Sequence, residues 1–534
     1  MAKQSTKAVK FPIKGLERRW GFQGQGPFST VDCVNVWPTD WTTGRERGCT
    51  RPKLVSATDI SAGEPSNWCE AAWQKVPGGS EAGGSIHVGV AVAGKNGVML
   101  VSRDKSDVKF STTGSFNSCA VYLQRLFAVA GTAEVSAVNL SDDDALNVAN
   151  PLIADYVDDT EEDGVIVDDT RKGTVPTNCT LVQTWGDRLV LAGDTENPMV
   201  IYMCRVGDPL DWDYSAVDAG GAWANTGGED GKIGEPITAL IPHSKDCLLV
   251  GCTNSLYVLR GNPRIGGQKF QVSRTLGPLS QSAWCHGPKD ETYIMTRDAL
   301  GVIPPGCGEA PSPVSRIALP NALTSIGEDG WASLGYDVRF RGVHIYTSKG
   351  HYFFDQQSGG FWPMSFEEGD YVADESTEEE PKVASGAIRL AVPFPTMETA
   401  TKSGLMVVDV GGRTRQYDSS RPCEEAAHLF YGPFALGDPF TKGIMTQITA
   451  ALASSENDEM EVKWRVYTGE SPEQAYADEH PFEGTWDRAG LNYNQHPMKG
   501  GTVAYIEVYN DKNKKWSIEE IMFIQRLAGR RTVE

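Results

Sequence analysis

From about residue 85 to residue 420 the chain repeats one local pattern: a short apolar run, a turn that contains glycine, and a second apolar run. Val98-Met99-Leu100-Val101 follows the turn Lys95-Asn96-Gly97, and Leu248-Leu249-Val250-Gly251 is answered by Leu256-Tyr257-Val258-Leu259. Val343-His344-Ile345-Tyr346, Ser348-Lys349-Gly350 and His351-Tyr352-Phe353-Phe354 make a third hairpin. Met406-Val407-Val408-Asp409-Val410 leads into Gly411-Gly412, a pair suited to the positive φ of two-residue hairpin turns. So many strands would leave long unpaired edges unless the sheets were arranged radially. From Gly193 onward the turns fall near residues 193, 252, 299, 349 and 411, close to the roughly 40–50-residue period of propeller blades. The pattern predicts an all-β chain built on a β-propeller of about six blades, with five or seven as alternatives, and a stack of β-sandwiches as the competing arrangement.

No amphipathic helix interrupts the series. After Pro422 the character changes, and Val462-Lys463-Trp464-Arg465-Val466-Tyr467 and Val503-Ala504-Tyr505-Ile506-Glu507-Val508-Tyr509 alternate with the period of two that half-buried strands require. The expected organisation is an N-terminal arm over 1–55, a propeller over 56–425 and a β-rich C-terminal platform over 426–534. The platform reads as a small β-sandwich joined by the arm.

Charge is distributed unevenly. The net charge is −21, which argues against an ordinary nucleic-acid binder, because neutralising phosphates needs a basic face. Residues 1–53 nevertheless hold ten Lys or Arg against four acids, a net of +6, leaving −27 for the rest. Such an asymmetry predicts a basic arm that docks on an acidic surface. Residues 141–169 hold eleven acids and 367–380 hold eight, neither with a Lys or Arg, and both read as surface loops extended by self-repulsion. The eleven cysteines are scattered and odd in number, and Cys247-Leu248-Leu249-Val250-Gly251-Cys252 reads as reduced core. No run reaches the about 18 apolar residues of a membrane helix, and residues 1–10 lack the apolar stretch of a signal peptide. A cytoplasmic origin is the expectation.

Few motifs promise chemistry. In Gly227-Gly228-Glu229-Asp230-Gly231-Lys232, Thr226 stands where a phosphate loop needs its first glycine, and Ile233 where it needs Ser or Thr. Asp159, Glu161, Asp163 and Gly164 open like a calcium loop, but Thr170 occupies the position of the bidentate Glu. The eight histidines form no HxxxH or HxH pair, no cysteines show CxxC spacing, and there is no G-x-S-x-G elbow. Asp208, Asp211 and Asp213 around Trp212 are the strongest candidate for carboxylate chemistry on a sugar, although Gly207-Asp208-Pro209 also reads as a plain turn. The expectation is a non-enzyme with no cofactor, metal or catalytic residue. A glycan-binding or glycan-degrading propeller is the alternative.

Three stretches together resemble the tail nozzle, or tail tubular, protein of short-tailed bacteriophages. The first runs from Phe11-Pro12-Ile13-Lys14-Gly15-Leu16-Glu17-Arg18-Arg19 through Gly26-Pro27-Phe28-Ser29-Thr30 and Asn35-Val36-Trp37-Pro38 to Gly44-Arg45-Glu46-Arg47-Gly48-Cys49-Thr50-Arg51-Pro52. The second is Trp185-Gly186-Asp187-Arg188-Leu189-Val190-Leu191-Ala192-Gly193, with Gly207-Asp208-Pro209-Leu210-Asp211-Trp212 following. The third runs from Ile237-Thr238-Ala239-Leu240 to Tyr257-Val258-Leu259-Arg260-Gly261, and the C-terminal part matches loosely in Trp516-Ser517-Ile518-Glu519 and Gly529-Arg530-Arg531.

The resemblance implies a structural virion protein: a homohexameric tube below the portal and adaptor complex, with propellers outside and the terminal segments forming a platform. Its partners would be itself, the head-to-tail adaptor protein, and tail fibre or tip proteins. Genomic DNA would pass through the lumen without specific binding, which an acidic wall favours by leaving the duplex mobile. Its place would be the virion tail, assembled in the host cytoplasm. The interface candidates are Arg18, Arg19, Arg45, Arg47, Arg51, Arg530 and Arg531, with pairing inside the chain as the alternative for the arginine run. Deleting residues 1–53 is expected to block docking and leave the propeller folded.

Overall fold

In the computed structural model the described residues are 4–530, except 19–20, 22–24, 27, 62, 76–84, 104–107, 112–113, 132–134, 141–149, 152–172, 227–232, 307, 320–325, 327–329, 367–387, 394–401, 424, 438–440, 454–460 and 512–513. Apolar strands joined by tight turns fold back on one another, and seven times they make a four-stranded antiparallel sheet. Blades 1 to 6 occupy 65–111, 118–151, 181–224, 237–273, 284–313 and 332–364; blade 7 takes three strands from 388–422. Apart from the junction of blades 4 and 5, the first strands of neighbouring blades pack side by side, and blade 7 returns to blade 1. Between blades 4 and 5 the Gln281 side chain donates to the Leu240 carbonyl (3.0 Å) and accepts from the Leu240 amide (2.7 Å).

Apolar side chains fill the spaces between blades. Val90, Val92, Met99 and Val101 of blade 1 meet Leu390, Val392, Met406 and Val408 of blade 7, which closes the ring. A strand between two blades is covered on both faces, so it reads as an unbroken apolar run. Gly97–Ser102, Cys247–Cys252 and Gly342–Thr347 are buried at every position.

The fold is thus an all-β propeller with seven blades rather than six. Blade 7 draws its outer strand from the N-terminal arm. Four short strands of that arm precede it, β1 (Gln4–Val9), β2 (Cys33–Val34), β3 (Val36–Asp40) and β4 (Arg45–Thr50). The closing strand, β5 (Pro52–Ser61), runs antiparallel to Arg413–Pro422, with Leu54 opposite Tyr417 and Val55 opposite Gln416. Residue 55 therefore falls inside a propeller strand.

The segment after Pro422 supplies four strands to each of two five-stranded sheets, which the arm completes. In the first, β1 pairs with Ile518–Arg530, which pairs with Thr441–Leu452, which pairs with both Gly490–Gln495 and Lys499–Gly501. In the second, β2 leads through Ala427–Ala435, Val503–Asn510 and Val462–Gly469 to Phe482–Trp486. Met445, Ile448, Ile521 and Phe523 of the first sheet face Trp464, Val466, Ile506 and Val508 of the second, and Trp464 stacks on Trp486 at 5.5 Å. The short helix Pro472–Tyr476, capped by Ser471, covers the outer side of the second sheet through Ala475 and Tyr476.

The arm is threaded between these bodies. Trp37 of β3 is buried against Phe340, His344, Phe353 and Tyr417, and one apolar core runs without a break from blades 5–7 through the arm into the sandwich. Two glycines of the motif make close approaches possible. A Cβ on Gly48, at φ +74°, would lie 2.0 Å from the Phe11 ring, and one on Gly15, at φ +65°, would lie 2.4 Å from the Phe361 carbonyl. Phe11 stacks on Trp362 at 5.5 Å. Cys252 is a free buried thiol, whereas Cys247 is disulfide-bonded, which corrects its reading as reduced core.

Removing residues 1–53 deletes β1 to β4, Trp37 and the first residues of β5, so the expectation that the propeller survives this cut does not hold. Losing Trp37 alone costs about 3–5 kcal/mol. Circular dichroism melting of the truncated chain is expected to show loss of cooperative unfolding, and a native-like transition would contradict this account of closure.

Candidate functional site

The arginines of the basic arm build the seam between propeller and sandwich. Arg51 ends the Gly-Arg-Glu-Arg-Gly-Cys-Thr-Arg run and is only 1% exposed. A guanidinium taken out of water needs an acceptor for nearly every donor. Its Nε donates to Asn35 Oδ1 (2.9 Å), its Nη1 to the Pro52 carbonyl (3.1 Å), and its Nη2 to the Ser365 carbonyl (2.7 Å) and Glu425 Oε2 (2.5 Å). The Phe366 ring lies 4.5 Å from the guanidinium carbon. Asn35, in the left-handed region at φ 57°, accepts from the Ser365 amide as well and donates to Ser365 Oγ and the Ala426 carbonyl. One cation therefore ties together the arm, the end of blade 6 and the entry to the sandwich.

Arg47 ties the arm to the C-terminal strand. It donates through Nε (3.1 Å) and Nη2 (2.5 Å) to Asp40 Oδ2 across the β3–β4 hairpin, and through Nη1 to Glu519 on the C-terminal strand. Burial favours the neutral form of Asp40, but the Thr42 hydroxyl and amide, Arg47 and Lys515 outweigh it and hold its carboxyl well below the usual range. Lys515 lies 3.5 Å from Asp40 and over the Trp41 ring.

These positions correct part of the interface expectation. Arg47 and Arg51 are buried and spent on partners within the chain, so neither is offered to another protein. Arg45 and Arg18 do face solvent, with side chains 71% and 57% exposed; Arg45 lies 3.5 Å from Glu519 and Arg18 3.9 Å from Asp32. Arg530 belongs to the C-terminal strand, while Arg19 and Arg531 lie outside the described residues. The partners Asn35, Asp40, Glu425 and Glu519 are the functional residues that sequence reasoning missed. Asn35 and Glu519 stood inside quoted stretches, but nothing local marks Glu425.

Behind Arg51 lies a closed aromatic and histidine cluster. His344 is fully buried, its Nδ1 3.3 Å from the Tyr346 hydroxyl and its Nε2 3.7 Å from Asp337. Tyr346 and Tyr417 share a 2.9 Å hydroxyl contact. Burial, then the Arg51 charge, push His344 down to about 3 and His351 to about 4, so both are neutral.

The carboxylate candidates do not form a sugar platform. Trp212 is fully buried, and its Nε1 donates to the Pro209 carbonyl (2.8 Å). Asp208, Asp211 and Asp213 accept from the amides of Leu210, Asp213 and Ser215, each two residues on, and Asp211 lies 3.8 Å from Arg205. This is turn chemistry. The calcium-like loop, the two acidic segments and the Gly227–Lys232 stretch lie outside the described residues, apart from 150–151. Among the described residues no three of His, Cys, Asp and Glu come together as metal ligands would, and no helix is long and apolar enough to cross a membrane.

Fold and seam together define a class: a seven-bladed β-propeller joined by a woven N-terminal arm to a β-sandwich. No family model matches the chain, and no curated protein matches it in sequence. Among solved structures it is similar to the extracellular domain of a one-component system protein from B. thetaiotaomicron, at 10% identity and TM-score 0.43 over 83% of this chain and 47% of that one. The extracellular domain of a hybrid two-component system protein from the same organism gives 10% and 0.42, over 83% and 49%. The chain spans about half the length of these two proteins. The WD40 β-propeller domain of Doa1 gives 10% and 0.35, over 70% and 97%. At such identities these likenesses concern the fold.

Two outcomes follow from the seam. Arg51→Ala removes the guanidinium shared by Glu425 and Asn35 and is expected to cost about 3–5 kcal/mol in urea unfolding; Arg51→Lys, which lacks the planar fork, is expected to recover little of it. The unfolded chain protonates His344 and His351 near pH 6.5, while the folded chain does so only near 3 and 4, so stability falls as pH drops below about 6.5. Asp32 and Asp40, both held low, lose their contribution only below about pH 4. His344→Gln is therefore expected to flatten the melting-temperature slope between about pH 6.5 and 4, with His351 and the lowered His243 and His286 supplying what slope remains.

Proposed function

We propose that this chain is a structural wall segment of a phage-type tail tube, assembled as a homohexamer that conducts the genome and binds an adaptor above and fibre or tip proteins below. The observation that carries the reading is the use made of the Phe11-to-Pro52 stretch. Its buried residues Asn35, Trp37, Arg47 and Arg51 fasten two β bodies into one, a mechanical role. The net charge of −21 suits a conduit that must not retain DNA. The exposed Arg18 and Arg45 remain as docking residues for an acidic neighbour.

A glycan-binding or glycan-degrading propeller is the second reading. Binding proteins and enzymes share this architecture, and the structures named above include no tail component. Mass photometry of the purified chain, alongside a polysaccharide binding screen, separates the two. The tube reading predicts a six-copy species and no saturable glycan binding. A monomer that binds a polysaccharide, or that releases reducing ends from one, would overturn it.

A further inference from the structure

The two sheets of the sandwich are finished differently. The outer face of the second is covered by Pro472–Tyr476 and Val31, which pack on Phe430 and Tyr505. Among the described residues nothing covers the outer face of the first. Cross-strand register sets Leu491 opposite Ala451, Met522 opposite both Thr449 and Ala8 of β1, and Ile524 opposite Thr6, a part-apolar stripe that Glu520, on the other side of Ala451, interrupts. Tyr493, two residues from Leu491 and on the same face, is 70% exposed; Leu491 is 40% exposed.

The stripe ends at two open strand edges. Among the described residues β1 pairs only with Ile518–Arg530, and Gly490–Gln495 only with Thr441–Leu452, so each has one side of its backbone unpaired. The edges lie on opposite sides of one sheet, and each strand has six residues. They also differ in charge. Residues 4–18 carry exposed Lys10, Lys14 and Arg18, whereas the segment leading into Gly490–Gln495 exposes Glu479 and Asp487, the latter beside exposed Arg488, with Glu483 paired to Arg465 of the second sheet. An open strand with a flanking apolar stripe is a template for another strand. Here the complementary strand is on the far side of the same molecule.

We infer that a second copy of this chain docks head to tail, with β1 of one copy lying along Gly490–Gln495 of the next and extending the sheet across the subunit boundary. The basic flank then faces the acidic flank, and the exposed stripe of Tyr493, Leu491 and Ala8 becomes continuous between copies. Contact between two different edges generates a ring when the rotation closes. This inference rests on the homo-oligomeric reading above and adds the surfaces that would make it.

Chain-terminating variants test it. Ala8→Asp damages one edge and Tyr493→Asp the other, both at exposed side chains, so melting temperatures are expected to stay at the wild-type value. Mass photometry should find each variant monomeric alone, and an equal mixture should give dimers and nothing larger, because each copy still offers one intact edge. Thr6→Glu paired with Leu491→Glu repeats the test on the neighbouring rungs should either first variant melt early. Variants that keep the wild-type oligomer mass would overturn the edge contact while leaving the tube reading standing, as would a mixture that stays monomeric. A monomeric wild type would overturn both.

Discussion

A buried guanidinium holds this molecule together. Arg51 satisfies four acceptors drawn from the arm, blade 6 and the segment entering the sandwich, and it does so where almost no water reaches. In such a place the charge is tolerated because its partners are complete, and any one partner removed leaves another stranded. Arg47, Asp40 and Glu519 repeat the arrangement between the β3–β4 hairpin and the C-terminal strand. The apolar core supplies the bulk of the contact area, and the two ion clusters set the register in which the bodies meet.

The arm matters because of where its strands go. β1 and β2 complete one sandwich sheet each, and β5 completes blade 7. The first sixty residues are thus shared between two bodies that otherwise follow one another in sequence. A chain woven in this way transmits force between propeller and sandwich through paired strands and buried ion pairs, with no single linker to yield. That is a property the proposed wall segment needs and a free binding module does not.

Much of the fold was legible because burial leaves a pattern. Strands lying between blades read as unbroken apolar runs, as at Val98–Val101, while strands with one solvated face alternate, as at Val462–Tyr467. The outer strand of blade 7 was not legible, since it is separated from its partner by most of the chain. The site was legible in its residues and not in its roles. Asn35, Arg47 and Arg51 stood in the motif, but a basic run reads locally as a docking surface. Only Glu425 and Glu519, hundreds of residues away, show that Arg51 and Arg47 face inward. Trp212 misled for the opposite reason: an aromatic between carboxylates looked like a sugar platform, yet its ring fills the core and its flanking acids hold turns.

We propose that this two-body chain is one segment of a closed ring. Electron microscopy of the purified protein, with particles averaged in end-on view, tests it most directly. The account predicts rings of six copies around an open lumen; a field of separate seven-bladed particles, at concentrations where the chain is folded, would contradict it.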